Sequence, residues 1–181
     1  MDDWGRRVGP LSRRLLQLRA WNRNTGQYGV PTTSSGGFNS GDGEIKAPDV
    51  AFTPGDVYSA LDEQQLSTFQ GAPFSPTFAV EVDDLSTTSK LNTLTSKFKD
   101  TYFPSGVQLG WLIDPVNKTI YTFMRGSDGV VRRRSHRWYD DDGNARILMG
   151  GEVLPGFTLK LKKIDYLLSQ VWSCLSLLLQ F

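Results

Sequence analysis

The residues with most capacity for chemistry are two carboxylates, Asp49 and Glu81. Glu81 lies inside the apolar run Phe78-Ala79-Val80-Glu81-Val82. A carboxylate in such a setting is costly unless it is hydrogen-bonded, paired or bound to a metal. Asp49 follows Pro48 directly and opens a second short apolar run, Val50-Ala51-Phe52. Two carboxylates on neighbouring strand ends can share a divalent cation that prefers hard oxygen ligands. Such a cation orients a water and stabilises a phosphoryl transition state, and a nearby lysine adds positive charge where negative charge develops. The plainer alternatives are a turn or N-cap carboxylate for Asp49 and an ordinary ion pair for Glu81.

These side chains need a scaffold, and the hydrophobic pattern supplies one. Phe78 to Val82 reads as the clearest strand. Ser86 to Ser89 offers N-cap hydroxyls, after which Leu91, Leu94, Phe98 and Tyr102 recur at intervals of three, four and four, one face of a helix. Pro104-Ser105-Gly106 ends that helix. Val107 to Ile113 and Thr119 to Met124 read as strands joined by the turn Asp114 to Lys118. Strand, helix and strand in this order predict a right-handed crossover within a sheet. Upstream, Arg13 to Trp21 reads as a short amphipathic helix, with strands near Tyr28–Val30, Phe38 and Asp49–Phe52. Asp42-Gly43 predicts a hairpin into Glu44-Ile45-Lys46. Asp56 to Phe69 reads as one helix, Val130-Val131 as a short strand, and Pro155-Gly156 as a turn within the closing segment 151–161. The expected fold class is α/β (α+β), a mixed central sheet flanked by helices.

The 181 residues suit one domain. The expected organisation is an N-terminal basic helix over 1–19, a core over 20–163 and an apolar C-terminal extension over 164–181. With 39% hydrophobic and 22% charged residues, the chain is too apolar for a disordered one. A formal charge of +1 makes no general case for nucleic acid. Two local clusters do, one spanning Arg6 to Arg23 and one comprising Arg132, Arg133, Arg134 and Arg137, although such clusters are also common as solvated surface. Cys174 is the only cysteine, which excludes an intrachain disulfide and points to a reducing, intracellular compartment, cytoplasmic or nuclear, with organelle targeting by the Arg-rich start as the alternative that Asp2 and Asp3 count against. His136 is the only histidine, too few for a histidine-built metal site or triad. No apolar run of secretory type follows the first arginines. The segment 164–181 suits a buried or partner-facing helix, with a homodimer contact as one use, better than a membrane span.

The order of Trp21-Asn22-Arg23-Asn24-Thr25-Gly26, Ala47-Pro48-Asp49-Val50-Ala51-Phe52 and Phe78-Ala79-Val80-Glu81-Val82, together with Gly106 to Pro115 and Val153-Leu154-Pro155-Gly156-Phe157, resembles the Uma2 group within the PD-(D/E)XK nuclease superfamily. The resemblance implies a metal-dependent endonuclease acting on DNA, with Asp49 and Glu81 as ligands of Mg²⁺ or Mn²⁺ and the Val82 carbonyl as a further oxygen. A catalytically impaired relative, serving as a nucleic-acid or protein interaction module, is the alternative. The family's lysine comes from the helix after the glutamate, four residues before a tyrosine. Four before Tyr102 stands Phe98, so Lys97 is the first choice, one helical position out of phase, with Lys99 and Lys90 behind it. The position two after the glutamate holds Asp83, and no glutamate precedes Trp21. Lys97 is equally a plain ion-pair partner for Glu81. Gln108 could point toward the site or be an ordinary strand residue, and Trp111 and Trp138 suit packing better than base stacking.

Overall fold

The computed structural model describes residues 15–41 and 43–164. The expectations for residues 1–14, Asp42, Cys174 and the extension beyond Ile164 lie outside the described residues. Helix α1 (Leu15–Thr25) leads into β1 (Val30–Thr33), the small hairpin β2 (Phe38–Asn39) and β3 (Ile45–Lys46), and then β4 (Val50–Thr53). Helices α2 (Gly55–Ser59) and α3 (Glu63–Thr68) precede β5 (Phe78–Val82). Helix α4 (Thr88–Ser96) runs into a π-helical segment, Lys97–Tyr102, and one further turn, α5 (Phe103–Ser105). The strands β6 (Leu109–Asp114), β7 (Thr119–Arg125), β8 (Val131–Arg137), β9 (Ile147–Met149) and β10 (Thr158–Lys160) complete the fold.

The central sheet has six strands in the order β1-β4-β5-β6-β7-β8. Only β5 and β6 pair in parallel, across the α4 crossover, and the other neighbours are antiparallel. This is the expected mixed sheet flanked by helices. Each face of the sheet carries its own core, because successive strand side chains alternate. On one face Phe78, Val80, Trp111 and Ile113 pack with Leu18 and Trp21 of α1 and with Phe157. On the other, Ala79, Leu112 and Phe123 lie under Phe98, Tyr102 and Phe103 of the crossover helix. Trp111 and Trp138 are both buried, so they pack and do not present a stacking surface.

Two elements differ from expectation. The single helix over Asp56–Phe69 is two helices, since Asp62 forms a capping box with Gln65 and restarts the helix there. The short strand at Val130-Val131 is β8, which extends to Arg137 and absorbs the arginine cluster as an exposed edge strand. Charged side chains on such an edge oppose sheet-to-sheet association.

Candidate functional site

The register of β4 against β5 explains how the two carboxylates meet. Val50 faces Val80 in the antiparallel ladder, so Asp49, one step beyond, faces Glu81. The ladder ends there, and the Asp49 Oδ2 accepts the Val82 amide at 2.8 Å in place of a main-chain carbonyl. Glu81 is 8% exposed, on the face of β5 shared with Ala79 and covered by the crossover helix.

That helix begins at the N-cap Thr87, whose hydroxyl accepts the Lys90 amide. Its π-helical segment changes the phase at the functional position. A π turn closes between residues five apart, seen here in the Phe103 amide donating to the Phe98 carbonyl. Lys97 and Tyr102 are five apart and therefore share a face. The Lys97 Nζ donates to Glu81 Oε1 at 2.8 Å, and the Tyr102 hydroxyl donates to the same oxygen in a short hydrogen bond. The apparent misphasing of Lys97 is thus taken up by the π turn. Asp49, Glu81 and Lys97 converge, whereas the alternatives to Lys97 do not: Lys90 pairs with Asp83 at 3.1 Å and Lys99 is exposed. Gln108 stands beside Thr77 at the far end of β5, because Phe78 pairs with Leu109 while Glu81 pairs with Leu112.

Two contributors were not read as such from the sequence. Tyr102 served only as a marker of helix phase, yet its hydroxyl orients Glu81. Burial and the adjoining Glu81 carboxylate push the phenol well above its ordinary value, so it stays a proton donor. Asp114 is 2% exposed at the end of β6. Its carboxylate accepts Val116 and Asn117 amides at 3.0 and 2.9 Å, the Leu85 amide at 3.2 Å and the Asn117 side chain at 2.8 Å. It ties the loop after Glu81 to the β6–β7 turn. The signal was Asp-Pro-x-Asn, a turn in which an aspartate bonds forward amides.

The site is electrostatically tense. Burial first, then the charge of Glu81, pushes the Asp49 carboxyl from 3.8 up to about 6, and the Val82 amide and Lys97 only partly counter this. Asp49 Oδ1 and Glu81 Oε2 take no hydrogen bond among the described residues. Such a pair of oxygens fits Mg²⁺, which is commonly held by one or two carboxylates with waters and substrate phosphates filling the rest. Among the described residues no group of three or more His, Cys, Asp or Glu is placed to enclose a metal.

A mixed sheet with flanking helices and carboxylates at adjacent strand ends has the restriction-endonuclease-like architecture, which sets the class of the fold. Residues 9–162 match the Uma2 family model, described as a putative restriction endonuclease, and the chain belongs to that family. Among solved structures, a putative nuclease belonging to DUF820 from Anabaena variabilis ATCC 29413 is similar, with a TM-score of 0.59 and 14% sequence identity over 88% of this chain and 82% of that one. No curated protein matches the chain. Among the described residues no helix is long and apolar enough to cross a membrane.

Proposed function

We propose that the chain is a nuclease-like domain that binds nucleic acid at the strand ends bearing Asp49 and Glu81, with catalysis impaired. The observation that supports this is the state of the carboxylates. One oxygen of Glu81 is held by Lys97 and Tyr102, burial and the Glu81 charge raise the Asp49 carboxyl to about 6, and among the described residues no third acidic side chain joins the pair. Exposed cations on the same side, Arg133 and Arg137 of β8, can meet phosphates. The test combines fluorescence anisotropy of labelled DNA with cleavage of supercoiled and linear DNA in Mg²⁺ or Mn²⁺. Salt-sensitive binding is expected, with no cleavage beyond the background of Glu81→Gln and Lys97→Ala. Absence of binding at low salt overturns the proposal.

The second reading is a metal-dependent endonuclease, favoured by the open Asp49 Oδ1 and Glu81 Oε2 and by the π turn that delivers Lys97. Asp49, Glu81 and the Val82 carbonyl would hold the ion. The chemistry a bound Mg²⁺ supplies is polarisation of the phosphate and acidification of a water. The water oxygen bonds to phosphorus, the bridging P–O bond to the leaving nucleotide breaks, the water's proton passes to solvent, and the leaving oxygen takes a proton from solvent. Lys97, moving from Glu81 toward the phosphate, would offset the charge that grows on its oxygens. Tyr102 would keep Glu81 oriented meanwhile. Cleavage that disappears in both Glu81→Gln and Lys97→Ala would replace the first reading with this one.

A further inference from the structure

We propose that an open cleft, on the face of the sheet away from Asp49 and Glu81, is the seat of this chain's own residues 165–181, docked as an amphipathic helix. The cleft has about 630 Å³ of free space, and cavities of roughly 300–1,000 Å³ take several large groups at once. Leu109 and Trp111 of β6 and Thr122 and Met124 of β7 form its floor, and β9 forms a wall. Trp111 belongs to the core on the side of the sheet opposite Glu81, so cleft and carboxylates lie on different faces. Met124, Ile147 and Met149 line the cleft and are left 49%, 52% and 65% exposed. Exposed apolar surface gathered in one place marks an interaction site. The polar side chains of the floor are already satisfied, since Thr122 and His136 bond each other at 3.3 Å. The cleft therefore suits an apolar occupant better than a polar ligand.

The course of the chain selects the occupant. Strand β10 pairs with β9, the cleft wall, and the Leu161 amide then donates to the carbonyl of Arg146, a lining residue, at 3.2 Å. Ile164, the last described residue, is buried in the same core as Trp111. The described chain thus ends beside the wall. A helix over 165–181 is ~25 Å long at 1.5 Å per residue, whereas three strand spacings across the sheet come to ~15 Å. In its sequence Leu168, Val171, Leu175 and Leu178 recur at three, four and three, while Ser169, Ser173, Ser176 and Gln180 fall on the opposite side. An apolar stripe of this kind is what lies down in a hydrophobic groove. Asp165 is the only charged side chain of the segment. Arg146, exposed at the rim, has no ion-pair partner among the described residues and complements it. The opposite terminus, 1–14, would instead bring Arg6, Arg7, Arg13 and Arg14 to that rim. A short tether holds a segment at an effective concentration of roughly millimolar, so the chain's own segment outcompetes that of a second copy.

Cys174, the only cysteine, lies in the segment at the edge of the stripe and provides the test. Met124→Cys and Met149→Cys each place a second thiol at the exposed rim of the cleft. Lys99→Cys places one on the exposed side of the crossover helix, over the other face of the sheet, as the control. Each full-length variant is oxidised in dilute solution with copper–phenanthroline and air, and the disulfide is followed on non-reducing gels and by peptide mass. Met124→Cys or Met149→Cys should close a disulfide within one chain about tenfold faster than Lys99→Cys, or better. Adding Val171→Asp and Leu175→Asp should slow that closure to the rate of the control. Rates no faster than the control in both rim variants overturn the proposal. Disulfides formed mainly between chains overturn it too, since a second copy then supplies the segment. Fast closure that survives Val171→Asp and Leu175→Asp shows that the apolar stripe is not what seats the segment, and likewise overturns it.

Discussion

Asp49→Asn should stabilise the metal-free protein at neutral and alkaline pH while leaving acid stability nearly unchanged. The Asn side-chain carbonyl can still accept the Val82 amide that Asp49 Oδ2 now accepts at 2.8 Å. What the substitution removes is a charge that the folded protein disfavours. Because the carboxyl rises from 3.8 to about 6 on folding, the folded state takes up a proton across that range. Stability from the neutral carboxyl is present below the lower value and is lost as pH rises through the upper one. At 1.36 kcal/mol per pH unit the interval between 3.8 and about 6 corresponds to about 3 kcal/mol. Asp49 is half-buried, and water screens part of that, leaving about 1–2 kcal/mol. For a chain of this length the gain is roughly 2–8 °C in melting temperature. Thermal melts by circular dichroism at pH 4, 6 and 8 on both proteins give the comparison, and the difference cancels every other titrating group. An Asp49→Asn protein that melts at or below the native one at pH 8, or by a margin independent of pH, would refute the reasoning. Under the endonuclease reading, Mg²⁺ recovers the loss in the native protein alone, by about 2.7 kcal/mol at a hundredfold excess over its Kd.

Tyr102→Phe deletes the second donor to Glu81 Oε1 and should cost about 1.5–3 kcal/mol in urea denaturation, the scale of a hydrogen bond to a charged group. Gly110→Ala should cost about 1–3 kcal/mol, because a Cβ there would stand 2.5 Å from the Phe98 ring, which is stacked on Phe123 with centroids 4.4 Å apart; calorimetric melting measures it. Deleting the exposed Lys99 should convert the π turn into α-helix with Lys97 and Phe98 each four residues from their partners, so cooperative melting near the native temperature is expected. Loss of cooperative melting would show that the two phases are not equivalent.

Much of the scaffold was legible because burial leaves a pattern. Strand β5 is apolar throughout except for Glu81, and the helix after it repeats its apolar residues at helical spacing. The order strand, helix, strand then implied the parallel β5–β6 pair, and the two carboxylates followed from their places on strand ends. The parts that were missed have physical causes. An exposed edge strand needs no apolar alternation, so four arginines concealed most of β8. The register of a parallel pair depends on how the crossover packs, which local sequence does not encode, so the sequence left Gln108 open between the site and an ordinary strand position. The break before Asp62 turned on a reciprocal side-chain cap, weaker in sequence than the apolar points on either side of it.

Lys97 is the most instructive case, since two demands on one helix settle its position. Phe98 and Phe103 are both buried in the core beneath the helix, and Lys97 and Tyr102 both reach Glu81. Each pair is separated by five residues. In an α-helix a separation of five turns the second residue about 140° away from the first, at 3.6 residues per turn, so neither pair could share a face. A π turn aligns both pairs at once. The poorer backbone geometry of one turn is offset by aromatic burial on one pair and by a charge-assisted contact on the other. The phase of Lys97 is therefore tied to the core through Phe98 and Phe103, and core substitutions at these phenylalanines should move the lysine.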